Sequence, residues 1–233
     1  MLWVDEKYRG LGYGRDLVVE SERLAKKNGC VASQTYTFSW QGGDFYQAVG
    51  YKLLATYDGY VARITELILS KRLDTRSERP SQETDPTRFT VSEDHNEESQ
   101  RAVRRGLGKN FDDHVAGLLK EHPQIALQLV IKNNDEQVIG GLCGYSILGT
   151  MTLDDLWVDK RYRGLGYGRN LMICAERIAR ERKCIALQTA CFSFQNLGFL
   201  KNQGFDTFGV SDVYPNGVKE YYLIKKLERN LVD

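Results

Sequence analysis

The sequence predicts an α+β fold, a mixed, mostly antiparallel sheet flanked by helices. Three observations predict it. Short strand-like stretches joined by turns, among them Asn133-Asn134-Asp135 and Pro215-Asn216-Gly217, make up much of the chain. One well-marked amphipathic helix places Leu171, Cys174, Ala175 and Ile178 at i, i+3, i+4 and i+7, with Glu176, Arg177, Arg180 and Glu181 facing away. The strand, turn and helix around it also occur twice.

Trp157-Val158-Asp159 runs into Arg163-Gly164-Leu165-Gly166-Tyr167-Gly168-Arg169. The same string stands at Trp3-Val4-Asp5 and from Arg9 to Arg15, a separation of 154 residues from Trp3 to Trp157. The register holds beyond the turn. Cys30 matches Cys184, Gln34-Thr35 matches Gln188-Thr189, Phe38-Ser39 matches Phe192-Ser193, Gln41 matches Gln195, Phe45 matches Phe199, and Gly50 matches Gly204. The period is far longer than a solenoid unit, so a domain-sized piece is repeated. The copies are unequal, because only Met1 stands ahead of Leu2. Either the chain starts mid-domain or its start lies elsewhere. The expected organisation is a half-domain at residues 1–73, a linker at 74–87 and a complete domain at 88–233.

In order, residues 2–5 read as the end of a strand and 15–27 as a helix stopped by Gly29. Residues 31–38 read as a strand, 44–49 as a short helix ended by Gly50, and 51–73 as two strands. Residues 74–87 hold Pro80, Pro86, charges and Ser/Thr, a linker composition. Residues 89–91 read as a short strand, and 93–119 as helical with a break at Gly106-Leu107-Gly108. Strands follow at 125–132, 137–148 and 151–159, then the helix after the glycines and a strand at 185–191. A short helix at 196–202 is stopped by Gly204, and residues 205–214 and 218–226 close a hairpin. Trp3 and Trp157 follow the apolar pattern of their strands and are expected in the core.

A formal net charge of +1 gives no bulk attraction to nucleic acid or membrane, and neither is expected as a partner. No apolar run is long enough to span a bilayer. Charges at Asp5, Glu6, Lys7 and Arg9 do not suit a secretory signal. Five cysteines at irregular spacing form neither a disulfide framework nor a zinc pattern. They read as small buried hydrophobes in a reducing cytoplasm. With three histidines, at 95, 114 and 122, no metal site is expected.

The glycine turn carries the chemistry. Glycine admits positive φ and close approach of a ligand to the backbone. The first N–H groups of a helix have no intrahelical partner, and with the helix dipole they favour an anion such as pyrophosphate. Arg163 and Arg169 flank the turn. A dinucleotide fingerprint needs G-x-G-x-x-G, whereas this spacing is G-x-G-x-G. A P-loop needs Lys and Ser/Thr after its last glycine, where Arg169 stands. A purely structural corner is the third alternative.

Arg163-x-x-Gly166-x-Gly168 resembles the [Gln/Arg]-x-x-Gly-x-[Gly/Ala] signature of the GNAT N-acetyltransferase superfamily. The surrounding element order resembles it too, over about residues 88–227, and residues 2–73 resemble the C-terminal half of such a domain. The resemblance implies acetyl transfer from acetyl-CoA to an amine by direct attack, with no metal. It implies that backbone at Leu156, Trp157 and Val158 meets the pantetheine arm. It implies that Arg163, Gly164, Leu165, Gly166, Tyr167, Gly168 and Arg169 hold the pyrophosphate, and that Gln195 and Asn196 join the cofactor site. A carboxylate would serve as base, with Asp154 and Asp155 as candidates. Strand alternation puts them on opposite faces, and Asp154 is favoured. Arg9, Gly10, Gly12, Gly14, Arg15 and Tyr46 would form a second site.

The family often has a Tyr on the short helix as acid for the departing thiolate; Tyr46 fits it in the first copy, but Leu200 stands there in the second. Tyr145, Tyr214, Tyr221 and Tyr222 are substitutes, each also readable as a packing aromatic. The alternatives are therefore an acyl-CoA-binding or interaction module without catalysis, or a fragment of a tandem acetyltransferase. The half-domain is expected to pack on the full domain or a second chain, since the strand end at residues 2–5 would expose an edge.

Overall fold

A computed structural model describes residues 2–73, 91 and 93–227. The linker at 74–87 and residues 89 and 90 lie outside them, and Val91 belongs to no strand. The N-terminal unit runs α1 (Tyr13–Lys27), β1 (Ala32–Phe38), α2 (Gly43–Ala48), β2 (Lys52–Tyr57) and β3 (Glu66–Arg72). The C-terminal unit runs α3 (Glu97–Glu121), β4 (Ile125–Lys132), β5 (Val138–Ile147), β6 (Thr150–Val158), α4 (Tyr167–Glu181), β7 (Ala186–Phe192), α5 (Leu197–Asn202), β8 (Asp206–Ser211) and β9 (Glu220–Lys226). Every element from α1 to β3 recurs, with the same bounds one repeat later, from α4 to β9.

Two sheets result, ordered β1-β3-β2 and β4-β5-β6-β7-β9-β8. In the larger sheet only β6 and β7 are parallel. This is the mixed, mostly antiparallel α+β arrangement that the turns and periodicities predict. Leu171, Met172, Ala175 and Ala179 turn the buried stripe of α4 onto Leu142, Met151, Leu153 and Leu187 of the sheet. One ion pair ties helix to sheet in each unit. Lys71 Nζ lies 2.7 Å from Glu22, and the matching Lys225 Nζ lies 2.5 Å from Glu176.

Two expected elements differ. The break at Gly106-Leu107-Gly108 does not occur, because α3 is continuous. Glycine costs a helix about 1 kcal/mol, and Gly106 has a use for its missing side chain: a Cβ there would lie 2.1 Å from the Trp3 indole. Residues 2–5 form no strand. Their counterparts 156–159 lie where β6 no longer pairs with β7, and the paired stretch Thr150–Leu153 precedes Leu156. In the C-terminal unit β5 holds that segment, and the N-terminal unit has no counterpart of β5 among its described residues.

The two units pack reciprocally, as across a two-fold axis. Gln34 Nε2 donates to Tyr214 Oη at 2.7 Å, and the matching Gln188 Nε2 donates to Tyr60 Oη at 3.4 Å. Between them Leu54, Ala55 and Ile68 of one unit meet Phe208 and Tyr222 of the other. Gly209 allows a close approach there, since a Cβ on it would lie 2.5 Å from Ala55 Cβ. The loop after β2 adds one-sided contacts. Thr150 Oγ1 donates to Gly59 O at 2.6 Å, and Val61 N donates to Leu148 O at 3.0 Å.

Candidate active site

The site begins where two parallel strands part. β6 pairs with β7 from Thr150↔Ala186 to Leu153↔Thr189 and no further. Both strands continue, so a cleft opens beyond Leu153. A bulge marks the opening: Leu153 registers with Gly144 and Asp155 with Cys143, leaving Asp154 as the extra residue. The bulge corrects the expectation that Asp154 and Asp155 face opposite ways. Leu153 and Leu156 both pack into the core beneath α4. Asp155, opposite the exposed Cys143, lies on the other face. Asp154 lies close enough to Asp155 to feel its charge, and close enough to Tyr145 to impose its own. Both aspartates are exposed. Partial burial first, and then its acidic neighbour, push the Asp154 carboxyl above the usual carboxylate range.

Beyond the cleft, β6 leads through a 3₁₀ turn at Lys160–Tyr162 into the glycines. Asp159 anchors that turn, accepting from Arg161 N at 2.9 Å. The Arg161 guanidinium hydrogen-bonded to it holds Asp159 down at about 2. Arg163 Nε donates to Val158 O at 2.8 Å and braces the end of β6. Gly164 and Gly166 have φ of +79° and +87°, and a Cβ on either would meet nothing within 4 Å. These two glycines leave the backbone open to a ligand. Gly168 differs: it lies inside α4, with its Cβ position 3.5 Å from Phe199. No side chain caps α4, so its first N–H groups face the same open space.

The remaining expected residues scatter around this frame. Trp157 is 50% exposed rather than core. The bulge sends it to the face away from α4, while its neighbours Leu156 and Val158 stay against the core. Leu165 and Arg169 are exposed beside the turn, and Tyr167 is half-buried. Gln195 Oε1 accepts from Phe192 N at 2.7 Å and so shapes the corner after β7. Asn196 precedes α5, and its side chain makes no capping bond. Leu200 is buried in the core. Of the substitute tyrosines, Tyr214 and Tyr222 turn to Gln34 and Glu220, and Tyr221 packs against the main core. Tyr145 alone stands at the parting of the strands, opposite Thr152. Cys184 and Cys191 are buried, whereas Cys30 and Cys143 are exposed.

The N-terminal turn repeats the local geometry. Gly10 and Gly12 have positive φ over open space, a Cβ on Gly14 would lie 3.4 Å from Phe45, and Arg9 Nε donates to Val4 O at 3.0 Å. Arg15 is exposed. Tyr46 packs edge-on to Phe45 and Tyr51. Among the described residues no group of His, Cys, Asp and Glu could hold a metal ion. None of the described helices is long and apolar enough to cross a membrane.

The model of the acetyltransferase (GNAT) family matches residues 84–205, more than half of the chain. The chain belongs to this family. The matched span carries the bulged strand, the glycine turn and the cleft. The chain is 42% identical over 74 residues to blasticidin-S acetyltransferase of Streptomyces morookaense, covering 31% of this chain and 54% of that protein. It spans about half the length of that relative. It is 28% identical over 138 residues to an acetyltransferase of Agrobacterium fabrum, covering 59% of this chain and 98% of that one. The crystal structure of an acetyltransferase from Bacillus cereus superposes with a TM-score of 0.53 at 28% identity, covering 60% of this chain and 98% of that one.

In this GNAT family member, polar groups that no local motif marks gather at the parting of the strands. Gln188 Nε2 donates to Thr152 Oγ1 at 2.9 Å and reaches Tyr60 Oη, which donates to Glu66 Oε2 at 3.1 Å. A signal was available. Tyr60 and Tyr214, like Glu66 and Glu220, are identical at the same separation as the glycine turns.

Proposed function

We propose that the C-terminal unit transfers an acetyl group from acetyl-CoA to a primary amine by direct attack in the cleft between β6 and β7. One observation carries the reading: the strands part at Leu153 immediately ahead of an uncapped helix whose glycines leave their backbone open. Bound acetyl-CoA supplies an acetyl group activated as a thioester. The N–H groups of residues 164–169 and the start of α4 hold the pyrophosphate. The backbone of Leu156, Trp157 and Val158 borders the pantetheine arm. Asp154 or Asp155 takes the proton from the amine, directly or through water. The raised pKa of Asp154, caused by burial and by Asp155, suits a proton acceptor. Gln195 and Asn196 close the cofactor end of the cleft.

Blasticidin-S acetyltransferase, by its name, acts on a small molecule, and its 42% identity over 74 residues supports small-molecule amines as the first acceptors to try. The N-terminal unit is, in this reading, the C-terminal half of a second such domain, packed on the first as a subunit would be, with Arg9, Gly10, Gly12, Gly14, Arg15 and Tyr46 as its turn and acid. Five free cysteines suit a reducing cytoplasm. A second reading, an acyl-CoA-binding module without turnover, is favoured by the buried Leu200 where the family places a hydroxyl.

Calorimetric titration with acetyl-CoA, followed by a turnover assay with blasticidin S, aminoglycosides and polyamines, separates the readings. One site per chain with turnover supports the enzyme. Binding without turnover supports the module. Absence of binding at high micromolar acetyl-CoA rejects both.

A further inference from the structure

Glu66 is a carboxylate of the N-terminal unit that hydrogen bonds link to the parting strands of the C-terminal unit. It opens β3, registers with Phe38 and Tyr57, and is half-buried. Its one hydrogen bond among those described comes from Tyr60. Tyr60 in turn accepts from Gln188, and Gln188 donates to Thr152. Thr152 and Gln188 are the last pair but one before β6 and β7 separate. A chain of three hydrogen bonds thus runs from Glu66 to the vertex of the cleft.

Tyr145 provides an independent link. It registers with Thr152, and its hydroxyl feels the charges of both Asp154 and Glu66. Met151 and Leu153 face the core beneath α4, so Thr152 and the chain through Gln188 and Tyr60 to Glu66 leave the sheet on the face away from α4. Phe38 packs edge-on to Tyr60, with Trp40 stacked on it and Phe111 tilted beside it. The uncapped helix draws the anionic end of acetyl-CoA to one end of the cleft, and these carboxylates make the opposite face attractive to a cation.

Resting on the function proposed above, we propose that Glu66 binds the ammonium group of a cationic small-molecule acceptor beside the vertex of the C-terminal cleft, with Tyr60 as its positioning residue. The acceptor site is then composite, and the half-domain contributes to substrate recognition. Burial raises the pKa of Glu66. That burial also strengthens the attraction for a bound ammonium. The mirror carboxylate, Glu220, is not equivalent, because Tyr214, Tyr222 and Gln34 already donate to it.

The test uses the full chain, with blasticidin S and spermidine as acceptors. Glu66→Gln keeps the shape and can still accept from Tyr60. The expected result is a KM for the cationic amine raised about tenfold or more, with the Kd for acetyl-CoA unchanged. Glu66→Asp should recover part of the loss, and Tyr60→Phe should raise KM less than Glu66→Gln. Glu220→Gln, on the other unit, should leave KM alone. An unchanged KM in Glu66→Gln, with wild-type turnover intact, overturns the assignment and leaves the enzyme reading standing. Wild-type chain that binds acetyl-CoA but acetylates no amine in the panel overturns both.

Discussion

The two copies of the glycine turn have nearly the same sequence and the same element bounds, yet their surroundings differ. In the C-terminal copy the preceding strand is held by β5, Trp157 is half exposed, and a cleft opens toward solvent. In the N-terminal copy residues 2–5 lack a ladder, and α3 brings Gly106 against Trp3. The paired carboxylates diverge in the same way. Glu220 accepts from three side chains of both units, whereas Glu66 has a single described donor and a raised pKa. Local sequence sets the turn in both places. What packs behind and over it decides whether the turn can serve a ligand.

The largest expected effect breaks the symmetry at the interface. Tyr57 is 1% exposed and sends its hydroxyl to Thr150, while its counterpart Ser211 is buried with no described partner for its hydroxyl. Tyr57→Ala should cost about 3–5 kcal/mol, a fall in Tm of roughly 10 °C. Ser211→Ala should be neutral or slightly stabilising, because an unpaired buried hydroxyl is itself costly. Similar melting curves for the two variants would show that the interface is not what holds the units.

Next comes the choice of turn. Gly166→Glu puts a negative, strained side chain at φ +87°. It should weaken acetyl-CoA binding about 100-fold or more, some 2.8 kcal/mol, by calorimetry. Gly12→Glu, equally strained at +94°, should leave that site intact. Equal losses in the two variants would mean that both turns bind the cofactor.

The smaller effects sharpen the contrast between the carboxylates. Glu220→Gln should destabilise the chain by about 1–2 kcal/mol, since hydrogen bonds to a charged group are lost. Glu66→Gln should do the reverse at neutral pH. A carboxyl whose pKa is raised on folding holds its proton more tightly in the folded chain. Its favourable contribution is complete below the unfolded pKa and disappears as pH rises through the folded pKa. Glu66→Gln should therefore melt slightly above wild type at pH 8 and level with it at pH 4. A variant less stable at pH 8 would show that Glu66 is structural rather than held at a cost for binding.

Much of the fold was legible because its signals are local. Glycines stop α1 and α2, the 3.6-residue stripe marks α4, and Pro215-Asn216-Gly217 joins β8 to β9. The misreadings share a cause in non-local contact. Gly106 looked like a helix break until Trp3 filled the space beside it. Asp154 and Asp155 looked like alternating strand residues until the register with Gly144 and Cys143 inserted a bulge. Trp157 looked like core for the same reason.

The sequence by itself determined that a glycine turn precedes an amphipathic helix, that this unit is repeated, and that the chain resembles an acetyltransferase. Those properties follow from backbone freedom and from apolar periodicity, and both are written in neighbouring residues. Only the tertiary structure decided which turn follows strands that part, and which carboxylate of the other unit is linked to them by hydrogen bonds. Glu66 and Thr152 lie far apart along the chain and meet through Tyr60 and Gln188. Such meetings depend on how whole elements pack, and nothing in their local sequence encodes them.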